Sequence, residues 1–169
     1  SAATGAAVHL KLEVFQRTGA FKIRGATNRI RTLPAADREA GVVTASAGNH
    51  AQGVALAAAQ TGTDALVVMP EYAPISKVRA TEGYGAAVEL HGADYEAASD
   101  RAHDIAAETG RTYVHAFDDP AVMAGQGTIG LEIVEDLPNV ETVVVPIGGG
   151  GLIAGIATAI KEKRPKVRV

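Results

Sequence analysis

The segment Gly19-Ala20-Phe21-Lys22-Ile23-Arg24-Gly25-Ala26 places one lysine between two apolar residues, at the expected start of a helix. Two further segments follow along the chain: Ser46-Ala47-Gly48-Asn49-His50-Ala51-Gln52-Gly53 and Gly148-Gly149-Gly150-Gly151. Together they supply an amine, a polar loop and a run of glycines. Each is weak evidence alone, because a lysine is normally solvated and a glycine cluster after an apolar run is normally a strand-to-helix turn. Their combination in one chain is the informative feature.

The hydrophobic periodicity alternates along the chain between that of strands and that of helices. Strands are predicted at residues 8–14, 42–45, 65–69, 87–90, 113–115 and 142–147. Helices are predicted at residues 21–33, 49–60, 75–83, 95–108, 121–135 and 152–162. Strands that alternate with helices form parallel sheets with right-handed crossovers, so the predicted fold class is α/β, with parallel sheets covered by helices.

The C-terminal part of the chain carries two further strand signals. Val143-Val144-Val145 is an uninterrupted β-branched run, which predicts a strand buried on both faces and central in its sheet. Residues 166–169 resemble the opening of another strand with nothing after it. We therefore expect the chain to be part of a longer protein. A terminal strand can also close a sheet, so a complete small domain is the alternative.

The composition excludes several classes of function. The chain has 169 residues, 47% of them hydrophobic, a net charge of -3 and no cysteine. Disulfides, thiolate metal sites and thiol catalysis are thereby excluded. The mild, interspersed charge gives no sign of a nucleic-acid partner, and the basic cluster at residues 161–168 is interpreted as a solvated helix end. Since no apolar segment is long enough to cross a bilayer and no leader opens the chain, we expect no membrane partner and a cytoplasmic location.

Lys22 is the candidate nucleophile. A lysine forms a Schiff base readily only when it is partly desolvated or lies near a cation or dipole that lowers its pKa. Lys22 is flanked by Phe21 and Ile23, and Gly25 leaves room for a close approach to the backbone. A lysine on the surface of the first helical turn is the alternative.

The other two segments are candidate anion sites. Ser46 to Gly53 follows a strand and opens a helix, so the free N–H groups of Gly48, Asn49 and His50 would face an anion such as a carboxylate. Alternatively, Ser46 or Asn49 caps that helix and no ligand binds. Gly148 to Gly151 precede the helix at Leu152, an arrangement that lets backbone amides wrap a phosphate. The remaining histidines have no metal-ligand spacing, and we interpret them as structural: His9, His91, His103 and His115.

On these motifs, the chain resembles the threonine/serine dehydratases (threonine ammonia-lyases) among the fold-type II, tryptophan synthase β-like, pyridoxal-phosphate enzymes. Residues 16–26 resemble the family's cofactor-lysine motif, residues 46–53 its substrate and ring loop, and residues 148–151 its phosphate loop. The similarity extends through Met69-Pro70, His115, residues 117–120 and residues 125–128, and so covers essentially the whole chain, which appears truncated at both ends relative to the family.

The resemblance implies a pyridoxal 5'-phosphate cofactor and a set of site residues. Lys22, beside Phe21, would bond the cofactor's aldehyde, and Asn49 would hydrogen-bond the cofactor's 3′-oxygen. The cofactor's phosphate would be held by backbone amides of Gly148, Gly149, Gly150, Gly151 and Leu152. The substrate carboxylate would be bound at the segment Ser46, Ala47, Gly48, Asn49 and His50, and no metal is implied within the chain.

The resemblance also implies an activity and a domain organisation. The reaction would be a β-elimination that converts L-threonine, and secondarily L-serine, to a 2-oxo acid and ammonia, with Lys22 removing the Cα proton. Residues 1–40 and 119–169 would form part of a large cofactor domain, and residues 41–118 a small mobile domain. A homo-oligomer is expected, and both isoleucine biosynthesis and catabolism are possible roles.

Three departures from the family pattern leave alternatives open. Ala20 occupies a position where many relatives have serine, and Ala47 stands where serine racemases carry a second serine that reprotonates the opposite face of the carbanion. The pyridine-nitrogen partner and the cation site that the family places further along are not in this chain, so a truncated chain that is itself inactive is one alternative. The alternatives are a serine racemase/dehydratase, a 3-hydroxyaspartate dehydratase, and a non-catalytic fragment of this fold.

Overall fold

The structure is a computed structural model that describes residues 2–169. A 3-10 turn at Glu13–Phe15 precedes a series of helices and strands. The helices are α1 (Lys22–Arg31), α2 (Ala35–Ala40), α3 (Asn49–Thr61), α4 (Ile75–Gly83), α5 (Tyr95–Thr109), α6 (Pro120–Asp136) and α7 (Gly151–Lys163). The strands are β1 (Val42–Ala45), β2 (Ala65–Met69), β3 (Ala87–Leu90) and β4 (Thr112–Tyr113).

The four strands form one parallel sheet in the order β3-β2-β1-β4. Val42 of β1 is paired with Ala65 of β2 and with Thr112 of β4, which makes β1 a central strand. All four residues of β1 are buried, as expected for a parallel strand covered by helices on both faces. The predicted α/β class is confirmed.

Alternate side chains of β1 enter two different hydrophobic layers. Val42 packs on the face covered by α1, α3 and α4, whereas Val43 and Ala45 pack on the opposite face against Ala98 and Ala102 of α5. This alternation is the two-residue period of an extended strand. A third cluster lies between α6 and α7 and includes Ile129, Ile156 and Ile160.

Glycines allow α6 to pack closely against both α1 and α7. A Cβ at Gly25 of α1 or at Gly125 of α6 would overlap atoms of the facing helix. At the other crossing, a Cβ at Gly155 of α7 would overlap the backbone carbonyl oxygen of Met123. These contacts place the first turn of α1 and the first turn of α7 on the same supporting helix.

The predicted strand at residues 8–14 is wrong. These residues pair with no strand in the described part of the chain, and Leu10 and Val14 are exposed. The segment is instead held by ion pairs, from Lys11 Nζ to Glu132 at 2.9 Å and from Arg24 to Glu13 at 2.8 Å. The alternating pattern arises because the charged residues point toward these partners, not because the segment joins a sheet.

The predicted strand at residues 142–147 is also not formed as expected. One parallel bridge joins Thr142 to Arg168, so the prediction of a strand opening at residues 166–169 has only this bridge as its counterpart. Val143 is buried under α6 and α7, but Val144 is 90% exposed. The prediction of burial on both faces is therefore wrong, because within the described residues only one face of the segment is covered.

Other differences are smaller. Helix α2 was not predicted; it is a six-residue helix that follows Pro34. Strand β4 ends at Tyr113, two residues before the predicted end. The division into two domains stays a prediction. None of the helices in residues 2–169 is long and apolar enough to cross a membrane.

The close helix crossing predicts opposite effects for two glycine-to-alanine substitutions. Gly155→Ala should lower the free energy of unfolding by about 2–3 kcal/mol, because the added methyl group overlaps a backbone carbonyl. Gly83→Ala in α4 meets no atom within 4 Å and should raise it by up to about 1 kcal/mol through helix propensity. Urea unfolding of both variants measures the difference. Equal stabilities would contradict the close packing of α6 and α7.

Candidate active site

Lys22 is the first residue of α1, and its amine is drawn into the protein. Its Nζ donates a hydrogen bond of 2.6 Å to the carbonyl oxygen of Ala116, 94 residues further along the chain. The Phe21 ring centroid lies 5.4 Å from the same nitrogen. Burial lowers the pKa of the Lys22 amine, because the charged form loses its hydration. A lowered pKa favours the neutral amine, which is the nucleophilic form.

Arg24 fixes the helical turn that carries Lys22. Its guanidinium makes paired contacts of 2.8 and 2.9 Å with Glu13 and of 2.5 and 2.8 Å with Glu132, and it also donates to Thr128 at 3.0 Å. The hydrogen bond from Arg24 is the main reason that the pKa of Glu132 falls to about 2. These bonds tie α1 to the N-terminal segment and to α6.

The segment Ser46 to Gly53 connects β1 to α3. Ser46 Oγ accepts a hydrogen bond from the N–H of Gly48 at 3.2 Å, and no side chain caps α3. The structure shows no acceptor among the described residues for the N–H groups of Asn49 and His50. The alternative in which Ser46 or Asn49 caps the helix is therefore not what the structure shows. Asn49 is exposed, and Ala47 lies half-buried against the main core.

His50 is buried and only half satisfied. Its Nε2 lies 3.0 Å from the carbonyl oxygen of Val114, and because a carbonyl only accepts, Nε2 carries the proton. Nδ1 is then an acceptor, and it has no hydrogen-bond partner among the described residues. The pKa of His50 falls to about 4, chiefly because burial disfavours the charged ring; the nearby charge of Lys22 also lowers it, whereas the hydrogen bond to Val114 raises it.

Residues 114–118, which we call the strap, leave β4 and cross the site. The carbonyl of Val114 accepts hydrogen bonds from Thr44 at 2.8 Å and from His50, while the carbonyl of Ala116 accepts from Lys22. The Phe117 ring packs on the glycine segment, because a Cβ built on Gly149 would lie 2.5 Å from it. The strap therefore contacts all three segments that the sequence singled out.

Residues 148–151 form the turn into α7. Gly150 has φ of +90°, a conformation that favours glycine, and it begins the helix without a side-chain cap. A Cβ on Gly148 or Gly150 would meet no atom within 4 Å, so open space lies beside the backbone there. The N–H groups of Gly149, Gly151 and Leu152 have no acceptor among the described residues.

Sequence reasoning missed three residues of this site. It interpreted His115 as structural, and it did not identify Ala116 or Val114. Their roles depend on main-chain carbonyls and on contacts across large sequence distances. The alternation of rings at Tyr113, His115 and Phe117 is the one sequence signal that pointed to the strap. Residues 2–169 contain no group of three or more His, Cys, Asp or Glu side chains that could hold a metal ion.

The strap thus connects a partly dehydrated amine with two helix starts whose N–H groups have no acceptor among the described residues. Such a combination suits an anionic carbonyl compound. Residues 1–169 match the family described as pyridoxal-phosphate dependent enzyme. The chain belongs to this family, whose cofactor is pyridoxal phosphate.

Individual relatives narrow the resemblance. The chain is 57% identical over 169 residues to the L-threonine ammonia-lyase of Thermotoga maritima, covering 100% of this chain and 42% of that protein. It is 56% identical over 162 residues to the L-threonine dehydratase catabolic TdcB of Staphylococcus aureus, covering 96% and 47%. The chain thus spans less than half the length of these relatives.

Solved structures agree with the predicted fold. The processed threonine deaminase isoform 2 of Solanum lycopersicum matches with a TM-score of 0.90 and 44% identity, covering 92% of this chain and 43% of that one. Maize serine racemase matches with a TM-score of 0.89 and 44% identity, covering 92% and 47%. The predicted fold-type II pyridoxal-phosphate fold and the resemblance to the threonine dehydratases are confirmed.

The site residues fit the cofactor on structural grounds. Lys22 offers an amine in a partly dehydrated setting, and the start of α7 offers free amides beside open space at Gly148 and Gly150. One further polar atom, the buried Nδ1 of His50, has no hydrogen-bond partner among the described residues.

The lowered pKa of His50 predicts a pH-dependent stability. Its pKa is about 4 in the folded chain against 6.5 for an ordinary histidine, so the unfolded chain binds more protons between these values. The free energy of unfolding should be unaffected by His50 above pH 6.5 and should fall by about 3 kcal/mol as the pH drops to 4.

Urea unfolding at several pH values checks this expectation. His50→Gln should remove most of the pH dependence in this window, because glutamine does not titrate. His91→Gln, at an exposed position, is the matched control and should leave the dependence as in the wild type. A slope that survives His50→Gln unchanged would show that His50 is not the group responsible.

Proposed function

We propose that this protein catalyses the pyridoxal-phosphate dependent β-elimination of L-threonine, and secondarily of L-serine, to a 2-oxo acid and ammonia. The observation that carries the proposal is the half-buried amine of Lys22, which lies 2.6 Å from the Ala116 carbonyl on a strap that also contacts the uncapped starts of α3 and α7. The names of the relatives, L-threonine ammonia-lyase and L-threonine dehydratase, support the choice of substrate.

The start of α7 would hold the cofactor's phosphate. The amides of Gly148 to Gly151 and of Leu152 supply donors, and the dipole of this thirteen-residue helix favours the negative charge. Leu152 is half-buried against the α6–α7 cluster, which fixes the helix start. Phe21 lies beside Lys22, and the exposed amide of Asn49 is available for the cofactor's 3′-oxygen.

The start of α3 would bind the substrate carboxylate. The amides of Asn49 and His50 are free, and Ser46 orders the turn through Gly48. Ala47 adds no polar group to this segment. Residues 46–50 therefore recognise the part of the substrate that all amino acids share, and selection of the threonine side chain rests on other contacts.

Lys22 would move the proton of the reaction. When bound, pyridoxal phosphate would supply an electron sink that stabilises negative charge at the substrate's Cα. The amine of Lys22 then removes the Cα proton, and its lowered pKa keeps part of it in the basic form. Movement of residues 41–118 as a small domain over residues 1–40 and 119–169 would exclude water from this step.

Serine racemisation is the second candidate, favoured by the similarity to maize serine racemase. Ala47 argues against it, because a methyl group cannot return a proton to the opposite face of the carbanion. A 3-hydroxyaspartate dehydratase would be recognised by its product from hydroxyaspartate, and a non-catalytic fragment by failure to bond the cofactor. We further propose a cytoplasmic homo-oligomer. Between isoleucine biosynthesis and catabolism, the name of the Staphylococcus aureus relative, L-threonine dehydratase catabolic TdcB, supports a catabolic role.

Incubation with pyridoxal phosphate, borohydride reduction and peptide mass spectrometry should place the pyridoxyl group on Lys22. The exposed Lys163 is the internal control and should stay largely unlabelled, because fully hydrated lysine amines are mostly protonated at neutral pH. Labelling spread over the exposed lysines, in a sample shown to be folded, would contradict the assignment of Lys22.

Turnover should be tested in a chimaera in which this chain replaces the matched 42% of the Thermotoga maritima enzyme. It should form 2-oxobutanoate from L-threonine, and Lys22→Ala should reduce the rate by at least about 100-fold, as loss of a general base does. Lys163→Arg is the control and should not change the rate. An inactive chimaera that still carries the cofactor on Lys22 would count against the proposed reaction and not against the cofactor site.

The same chimaera tests the role of Ala47. With L-serine it should release pyruvate with little D-serine, whereas Ala47→Ser should raise the fraction of D-serine because it supplies an acid on the opposite face. Chiral chromatography of the products measures both. Efficient D-serine formation by the chimaera with Ala47 intact would overturn the preference for elimination.

A further inference from the structure

His115 occupies the centre of the strap and organises its backbone. Its Nδ1 accepts hydrogen bonds from the N–H groups of Phe117 at 3.2 Å and of Asp118 at 2.7 Å. Since Nδ1 uses its lone pair as an acceptor, the ring's proton is on Nε2. The side chain thereby closes a turn over the two residues that follow Ala116, in the manner of an Asx turn.

This turn controls where the carbonyl of Ala116 and the ring of Phe117 point. The carbonyl meets the Lys22 amine at 2.6 Å. The Phe117 ring meets the His115 ring edge-on, with centroids 4.6 Å apart, and packs on Gly149. Val114, on the other side, is already fixed by Thr44 and His50. His115 therefore orders the backbone at Phe117 and Asp118, the part of the strap that follows the carbonyl bound by Lys22.

A carbonyl that accepts from the lysine amine also orients it. One N–H of the amine points at Ala116, so the lone pair of a neutral Lys22 is directed elsewhere, and the direction is set by the position of that carbonyl. The Phe117 ring in turn limits where Gly149 lies. The turn therefore sets the direction of the Lys22 amine through the Ala116 carbonyl, and it sets the position of the glycine segment through the Phe117 ring.

We propose that His115 is a positioning residue, which fixes the Lys22 amine and the glycine segment in their relative positions through the acceptor at Nδ1. This inference rests on the proposed cofactor site. His115 itself contacts neither Lys22 nor the glycine segment by hydrogen bond, and it acts through Ala116 and Phe117.

The rings offer a competing explanation that can be separated by substitution. The His103 and Tyr113 rings are stacked with centroids 4.0 Å apart, and Tyr113 approaches His115 at 6.2 Å. His115 could therefore serve only to continue this row of rings. His115→Phe keeps a ring and removes the acceptor, whereas His115→Asn removes the ring and keeps an acceptor at the position of Nδ1.

Three readouts on the full 169-residue chain test the proposal. Hydrogen exchange of the Phe117 and Asp118 amides should accelerate about tenfold or more in His115→Phe and stay near wild type in His115→Asn. The ratio of Lys22 to Lys163 acetylation by a small anhydride should change in the first variant only. The dissociation constant for pyridoxal phosphate, from the visible absorbance of the lysine-bound cofactor, should rise about tenfold in His115→Phe and less than about threefold in His115→Asn.

The outcomes separate this inference from the proposed function. Wild-type behaviour of His115→Phe, or equal losses in His115→Phe and His115→Asn, would overturn the positioning role. If the wild-type chain bonds no pyridoxal phosphate, the cofactor site is contradicted, while exchange and acetylation still judge His115. If His115→Phe does not fold, His115→Gln replaces it: glutamine also lacks the ring but places its acceptor one bond further out, so it should lose what His115→Asn keeps.

Discussion

The hydrogen bond from the Lys22 amine to the Ala116 carbonyl joins two parts of the chain that are 94 residues apart, and the geometry of the site depends on it. The lysine stands on α1, which Arg24 ties to Glu13 and Glu132. The carbonyl stands on the strap, which continues from the parallel sheet and is fixed there through Val114. The hydrogen bond thus connects α1 with the strap, and the site lies where these two parts of the chain meet.

The starts of α3 and α7 differ from those of α5 and α6 in how their N–H groups are satisfied. Asp94 and Asp119 cap α5 and α6 with their side chains, which satisfies N–H groups at helix starts outside the site. Helices α3 and α7 begin at glycines and have no side-chain cap. Free amides at a helix start are costly unless water or a ligand accepts from them. Helices α1, α2 and α4 also lack a side-chain cap, but only α3 and α7 begin at glycines and lie in segments that contact the strap, so their free amides are the ones placed to bind anions.

Sequence periodicity predicted the core of the sheet, because β1, β2 and β3 and the helices between them satisfy their own local patterns. The Asp119 cap of α6 is a feature of the same local kind, since Asp-Pro before an apolar segment is a signal within a few residues. Periodicity failed for residues 8–14 and 142–147, where alternation and β-branching were real but no neighbouring strands lie on both sides. The motifs of Lys22, Asn49 and Gly148 were evident in sequence. The strap was not, because its contacts are made by main-chain carbonyls, whose positions no residue type specifies.

The electrostatic character of the site follows from what surrounds its basic groups. Lys22 forms no ion pair with a carboxylate among the described residues, and burial lowers the pKa of its amine. His50 is held neutral chiefly by burial, and the nearby charge of Lys22 adds to the effect. The surroundings of both groups thus favour their uncharged forms. The free amides at the starts of α3 and α7 supply a positive potential that does not depend on a titratable proton. A ligand with a phosphate and a carboxylate would satisfy those amides and leave Lys22 free to act as a base, because its charge is not needed to hold either anion.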